Sequence, residues 1–350
     1  MNQRAESTKN YYEKHFPYEA FAEWLCPGDS APDPTKFPRR EFAFTLDGNI
    51  FCRYNSFPSA ERLKETLVKE VPDRIDLGAV WLLPPGSDST SNSNVKNEIH
   101  EKEFVVDIDL SDYDSLRTCC QGPELCPKCW KFIAVACKSL EIIFRGCFGF
   151  RRLQWVYSGR RGAHCWVSDS SARRLNDFKR KLMVNFINQS PKYRMPHRKI
   201  YEEVLVHNFE EIVIHDQNLL VKEEYQELLY SYLHRDTKYM FGEVNLEGES
   251  SVEVWGKFLK YFDCFYESDQ REKLLMELMY SFLKPRIDSL ASVNRDHLLK
   301  APFSIHPETG NICVPFSVSE VESFSINNTP NVDSENLDLE AYVKILTNQT

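Results

Sequence analysis

Strand patterns occupy both ends of this chain and helical patterns fill its middle, and that arrangement limits the folds open to it. REFAFTLDGNIFCRY (Arg40 to Tyr54) alternates on both sides of Asp47-Gly48, the short-range signature of a β-hairpin. Ile75 to Leu83 and Phe104 to Leu110 read as further strands, and Leu153 to Tyr157 and His164 to Val167 as two strands around a glycine-containing turn. Leu63 to Val71 and Trp130 to Phe144 read as helices. From about Ala172 to Leu283 the character changes: Leu175, Phe178, Leu182 and Phe186 recur at helical spacing. Strand signals return over Phe303 to Phe316, with a turn at Pro307 to Gly310. The expectation is a mixed α/β fold whose sheet-based core is assembled from both ends of the chain and interrupted by a helical subdomain. The expected boundaries are 1–171 with 284–318 for the core, including a cysteine motif at 119–129. A helical subdomain takes 172–283, and a linker with a closing helix takes 319–350. Residues up to about 36 read as a helix followed by a loop, and Ser87 to Asn94 as a polar loop.

With 350 residues, 42% of them hydrophobic, a substantial core is available. The segment after Met1 lacks the apolar stretch of a signal peptide, and no apolar run approaches the roughly 20 residues that span a bilayer. The chain is therefore expected to be soluble and not exported. Eleven cysteines, an odd number in a large chain of this kind, point to a reducing compartment with some thiols on a metal. A net charge of −9 argues against a strong solo nucleic-acid binder, whose affinity comes from neutralising phosphates. Any grip on nucleic acid is local or shared with a partner.

Three motifs carry chemistry. In FVVDIDL, side chains alternate along a strand, so Asp107 and Asp109 share a face, roughly 7 Å apart at the backbone. Such a pair can hold a hard divalent cation, Mg²⁺ or Mn²⁺, although an isolated Asp-x-Asp is more often the solvated end of a strand. Asp112 and Asp114 look like turn residues. In CCQGPELCPKCW, Cys119, Cys120, Cys126 and Cys129 place four thiols within eleven positions, which favours a closed, structural Zn²⁺ site over buried thiols or a redox pair. One of the adjacent Cys119 and Cys120 could stand outside it. Cys26, Cys52, Cys137, Cys147, Cys165, Cys264 and Cys313 read as core residues. In YSGRRGAHCW, Gly159 and Gly162 allow a tight turn, and Ser158, Arg160, Arg161 and His164 gather donors at its ends. Beside a carboxylate pair this reads as a triphosphate cradle; alone it is a solvated basic turn. Nothing local separates Asp288 from Asp296 as a further ligand in PRIDSLASVNRDHLLKAPFSIHPETG, where His297, Lys300 and His306 also cluster.

Together these stretches resemble the catalytic small subunit of eukaryotic and archaeal DNA primase, the eukaryotic branch more closely, in the family's order and from about Arg39 to Val314. REFAFTL, RIDLGAV and HLLKAPFSIHPETG add to the likeness. The resemblance implies a primase catalytic core and primer synthesis: short RNA made on single-stranded DNA from nucleoside triphosphates by two-metal nucleotidyl transfer. It implies that Asp107, Asp109 and Asp288 form the Mg²⁺ or Mn²⁺ triad, and that Ser158, Arg160, Arg161 and His164 hold the nucleotide's phosphates with Lys300 and His306. By the same match Arg53 lies near the triphosphate, and Glu41 and Asp76 near the metals and ribose. It further implies a large subunit with an iron–sulfur domain, the DNA polymerase alpha complex, and a nuclear location. The alternatives are a repair or viral primase–polymerase using deoxynucleotides, a zinc-stabilised nucleic-acid-binding subunit without chemistry, and a metal-dependent phosphatase or nuclease. Arg173, Arg174, Lys179 and Arg180 are expected to be exposed, following template or partner or forming a solvated helix face.

Overall fold

The protein is described here by a computed structural model of residues 3–86, 97–189, 196–242 and 246–348; the Ser87 to Asn94 loop lies outside them. Two compact units emerge. One comprises Met1–Ile108, Phe150–Phe186 and Ile287–Thr350; the other comprises Asp109–Gly149 and Ile187–Arg286. The cysteine motif and the helix after it thus group with the helical segment, unlike the division at 171/172 and 283/284 expected from sequence. The reason is packing: the helix Pro127–Gly146 buries twelve of its residues, too many for one amphipathic stripe, and is enclosed by helices of its own unit.

The first unit holds two sheets. Strands β1 (Arg40–Leu46) and β2 (Ile50–Asn55) form the expected hairpin, Leu46 opposite Ile50, with Gly48 and Asn49 supplying positive φ at the turn. Strand β3 (Arg74–Trp81) lies on the other side of β1 and is buried from Ile75 to Val80, as expected of a strand covered on both faces. Its far edge is shared by β4 (Ile99–Glu101) and β8 (Leu299–Lys300). The second sheet runs β5 (Phe104–Asp109), β7 (Gly162–Val167), β6 (Leu153–Tyr157), β9 (Pro315–Phe316). Strands from beyond residue 298 therefore complete both sheets, and the core is built from both ends of the chain.

The amino-terminal segment makes two helices, Gln3–Lys14 and Tyr18–Trp24, rather than one, because Pro17 between them has no N–H to continue the first. Their aromatic side chains pin the two ends of the chain together. Tyr11 donates to the Phe303 carbonyl at 2.8 Å and Tyr12 to that of Pro72 at 2.8 Å.

The segment around helix Asp177–Asn188 corrects one expectation. Its helical spacing is real, yet Phe178 and Leu182 are exposed, while Met183 and Val184 face inward. Of the four basic residues expected at the surface, Arg174 and Lys179 are exposed but Arg173 and Arg180 are buried. Arg173 pairs with Glu101 at 3.0 Å, and Arg180 donates to the carbonyls of Glu103 and Lys102. With Arg40, which grips Glu103 through both terminal nitrogens at 2.7 and 2.8 Å, they form a buried charge network. Burial alone would raise the Glu103 carboxyl, but the Arg40 guanidinium overrides it and holds the group far below the carboxylate range.

In the second unit, residues 197–216 run helically without a break, with two π segments, Tyr201–Leu205 and Glu210–Asp216. Helices Glu223–Tyr232, Ser251–Phe262 and Ser268–Leu283 surround them, joined by a Phe209–Trp255–Phe258–Phe262 ring cluster. The remaining cysteines divide: Cys26, Cys137, Cys165 and Cys313 are core residues as expected, while Cys147 and Cys264 are exposed and Cys52 is intermediate.

Candidate active site

Strand β5 sets the first geometry. Val106 and Ile108 are buried while Asp107 and Asp109 are partly exposed, so the two carboxylates do share the open face. The Asp109 carboxylate caps the next turn, accepting from Ser111 N and Oγ at 2.7 Å each. Asp288 and Asp296, indistinguishable by local sequence, are separated by position. The Asp288 backbone N–H donates to the Asp107 carbonyl at 2.9 Å, and its side chain caps Ser289–Val293 through Leu290 N at 2.8 Å and Ala291 N at 3.3 Å. Asp296 instead pairs with Arg53. Beside Asp107, on β7, His164 brings Nε2 to 3.6 Å from a carboxylate oxygen.

The turn from β6 to β7 makes the cradle. Ser158 closes it, its N–H donating to the Gly162 carbonyl at 3.0 Å and its hydroxyl accepting from Gly162 N at 3.0 Å. Gly159 sits at φ +86°, and a Cβ there would lie 2.7 Å from that of His306. Lys300 donates to the Ser158 carbonyl at 2.9 Å, and Arg160 pairs with Glu308 at 2.8 Å. Burial and neighbouring cations act in the same direction on both histidines. Burial, then the charges of Lys300 and Arg74, push His164 down to about 3; burial, then Lys300, Arg160, Arg74 and Arg161, push His306 down to about 3. Burial also lowers Lys300. Both imidazoles are thus neutral near pH 7, chiefly through burial and then through the neighbouring cations, whose charge a polyphosphate anion would offset.

An open cleft of about 800 Å³ adjoins, with Phe51, Arg53, Arg74, Asp76, Asp296 and His297 in its walls. Asp76 connects it to the cradle, lying opposite Lys300 in the β3–β8 register and accepting from Arg74 at 2.6 Å. Arg53 is clamped at 2.9 Å by Glu41 and at 2.8 Å by Asp296, over the Tyr54 ring. Glu41 is buried, and its second oxygen accepts from Trp81 Nε1 at 3.3 Å, so it positions Arg53 from behind the cleft wall. Sequence reasoning passed over Arg74 and Arg295. Arg74 was legible, two positions before Asp76 and so on the same strand face; Arg295, paired with Asp177 at 3.0 Å, was not. A larger cavity of about 1160 Å³ in the other unit, edged by Glu223, Glu227, Glu247 and Glu253, contains none of these residues.

In that second unit, Cys119, Cys120, Cys126 and Cys129 bring their sulfurs within 4.8 Å of one another, the group among the described residues that gathers three or more possible metal ligands so closely. Both members of the adjacent pair belong to it. Burial opposes ionisation of Cys126, but hydrogen bonds from the Cys129 main chain and from the neighbouring thiols outweigh it and lower the group. Four convergent sulfurs fit a tetrahedral Zn²⁺ with no open position.

The family model for the DNA primase small subunit matches residues 106–318, from the Asp-x-Asp strand through both clusters to the end of the second sheet. The chain belongs to the DNA primase small subunit family. A DNA primase small subunit of Drosophila melanogaster is 35% identical over 92% of this chain and 78% of its own length. One of Saccharomyces cerevisiae is 33% identical over 91% and 82%, and PriS of Archaeoglobus fulgidus 24% identical over 83% and 76%. Among solved structures, the polymerase domain of Mycobacterium tuberculosis ligase D in complex with DNA aligns over 97% of this chain and 92% of its own, with TM-score 0.44 and 10% identity, a likeness too weak to define the fold. As a primase small subunit the chain is the catalytic, nucleotidyl-transferring component of primer synthesis, and a small subunit entails a larger partner. No helix among the described residues is long and apolar enough to cross a membrane.

Proposed function

We propose that this primase joins ribonucleoside triphosphates on single-stranded DNA at the open face of β5, with Asp107, Asp109 and Asp288 holding Mg²⁺ or Mn²⁺. The observation that carries this reading is the tie between Asp107 and Asp288 beside a cradle where burial, with Lys300 and Arg74 close by, keeps His164 and His306 neutral. Bound divalent ions supply charge neutralisation and a more acidic attacking hydroxyl. The chain's residues do the rest. Arg160, Arg161, Lys300 and the turn amides hold the triphosphate in line, and His164 and His306 donate neutral N–H groups to it. Arg53, fixed by Glu41 and Asp296, and Asp76 orient the nucleotide in the cleft. A 3′-hydroxyl gives its proton to solvent water and its oxygen bonds to the α-phosphorus; the bond from that phosphorus to the oxygen it shares with the β-phosphate breaks and pyrophosphate leaves. Zn²⁺ on the four cysteines is structural. The large subunit with its iron–sulfur domain supplies the template grip that a chain of net charge −9 lacks, within a nuclear polymerase alpha complex.

The test is ribonucleotide and deoxynucleotide incorporation on unprimed single-stranded DNA with Mg²⁺ or Mn²⁺, wild type beside Asp109→Ala, with large subunit present. Short template-dependent RNA and pyrophosphate from the wild type alone, with equal zinc in both, is the expected outcome. Equal synthesis by Asp109→Ala would remove that carboxylate from the metal site, and a preference for deoxynucleotides would favour a primase–polymerase.

A further inference from the structure

Gln217 is wholly buried, yet every polar atom of its side chain is used, and all are spent on one short segment beside the cysteine cluster. Its Oε1 accepts from Thr118 N at 2.7 Å, Thr118 Oγ1 at 3.2 Å and Cys119 N at 3.3 Å. Its main-chain carbonyl accepts from Thr118 Oγ1 at 2.7 Å. Its Nε2 donates to Cys119 Sγ at 3.3 Å. The orientation of the amide is forced: turned over, its NH₂ would face two backbone N–H donors and its oxygen would face sulfur.

The residue reaches this position across 98 positions of sequence. It ends the π segment Glu210–Asp216, its N–H bonding the Ile212 carbonyl at 2.9 Å, and Asn218 then turns the chain with φ 47°. Asn218 Oδ1 accepts from Ser251 N at 3.0 Å, anchoring the turn to the next helix. Asp216, one residue earlier, pairs with Lys131 of the helix Pro127–Gly146 at 2.6 Å, so the amide is held between that anchored π segment and the Asn218 turn.

We propose that Gln217 is a positioning residue for the zinc site, donating an N–H···S hydrogen bond that selects Cys119 as a thiolate ligand and ties the cysteine loop to the helical segment. A zinc ion on four thiolates carries two net negative charges, and donors to the sulfurs spread that charge and fix ligand direction. The other donors in the cluster are local: Cys126 N reaches Cys129 Sγ at 3.2 Å, and the Arg117 guanidinium lies 3.9 Å from the same sulfur. Gln217 brings a donor to the cluster from a distant stretch of chain, which also explains why the first cysteine of the adjacent pair is held in the cluster. This inference rests on the zinc reading above.

The measurement is zinc affinity of the full chain by competition with a chromophoric chelator, with Co²⁺ substituted to report the sulfur-to-metal charge-transfer band. Gln217→Glu keeps an acceptor for Thr118 and Cys119 but turns an oxygen toward the thiolate; zinc binding is expected to weaken about 10- to 100-fold. Gln217→Met removes the donor without adding charge, weakens zinc less, moves the Co²⁺ band to longer wavelength, and carries the same test if the charged variant does not fold. Thr118→Val, which loses only the hydroxyl bonds to Gln217, is expected to lower thermal stability with zinc affinity unchanged. Folded Gln217 variants that bind zinc within about twofold of wild type, with the band unmoved, would overturn the proposal. A wild-type chain without stoichiometric zinc would instead sink the zinc reading itself.

Discussion

Gly159 shows how little room the cradle leaves. Its φ of +86° lies where an L side chain is strained by about 1–2 kcal/mol, and the added methyl carbon would meet His306 Cβ at 2.7 Å, the Asn311 carbonyl at 3.2 Å and Cys313 Sγ at 3.2 Å. Gly159→Ala is therefore expected to push His306 and the 158–161 turn apart while both sheets persist. Steady-state kinetics should show kcat/KM for nucleotide falling about 100-fold, the scale on which misplacement by an ångström acts. A change below about threefold, with the variant folded, would mean the turn does not hold the triphosphate. Glycine at this position was legible in the sequence because the residues around it announced a turn. The Arg53 clamp was not: Glu41 and Asp296 reach it from 12 and 243 positions away, and no local pattern encodes such pairing.

At the scale of elements, the buried charges under β4 and β5 decide a pH dependence. Lys102 follows β4, has no exposed surface, and donates to the His297 carbonyl in the loop that leads to β8. Burial, then the Arg180 charge, lowers it to about 7, against partial restoration by Glu103. Arg40 also lowers it and Glu41 also raises it. The unfolded chain keeps this proton up to pH 10.5 while the fold releases it near 7, so the unfolded state binds more protons in that window. Stability from this group therefore rises with pH between 7 and 10.5 and is flat below 7. Denaturant titrations at pH 7, 8 and 9 should give the wild type a slope steeper than Lys102→Met by up to about 1.4 kcal/mol per pH unit. Parallel slopes would mean that Lys102 stays charged in the fold. The same region marks where periodicity stops being informative. Spacing alone specified a helix near residue 180, but which face turned inward depended on Glu101 and Glu103, whose buried carboxylates and carbonyls draw Arg173 and Arg180 in and leave Phe178 and Leu182 in water. Strands fared better, because alternation on β5 states both the fold and the side on which Asp107 and Asp109 must lie.

At the scale of the whole molecule, the proposed active site and the cysteine cluster fall in different units. The cradle and cleft, with Asp107 and Asp288, belong to the unit built from Met1–Ile108, Phe150–Phe186 and Ile287–Thr350, whereas the cysteine cluster belongs to Asp109–Gly149 with Ile187–Arg286. Sequence order hid this, since the cysteines fall between two strands of the same sheet, and only the burial of Pro127–Gly146 assigns them to the helical unit. Metal on such a site contributes its binding energy to folding of the part that carries it. Stripping zinc with a chelator under reducing conditions should therefore loosen the second unit selectively. Hydrogen exchange is expected to accelerate in Pro127–Gly146 and in residues 197–216, while β1, β3, β6 and β7 keep their protection. Nucleoside triphosphate binding, followed by equilibrium titration without template, should survive the treatment, because the residues proposed to hold the phosphates lie in the first unit. Synthesis should fall, because Asp109 opens the unit that has loosened. Loss of protection spread evenly over both units, or loss of triphosphate binding together with zinc, would show that the two units fold as one and that the cysteine site supports the active site directly.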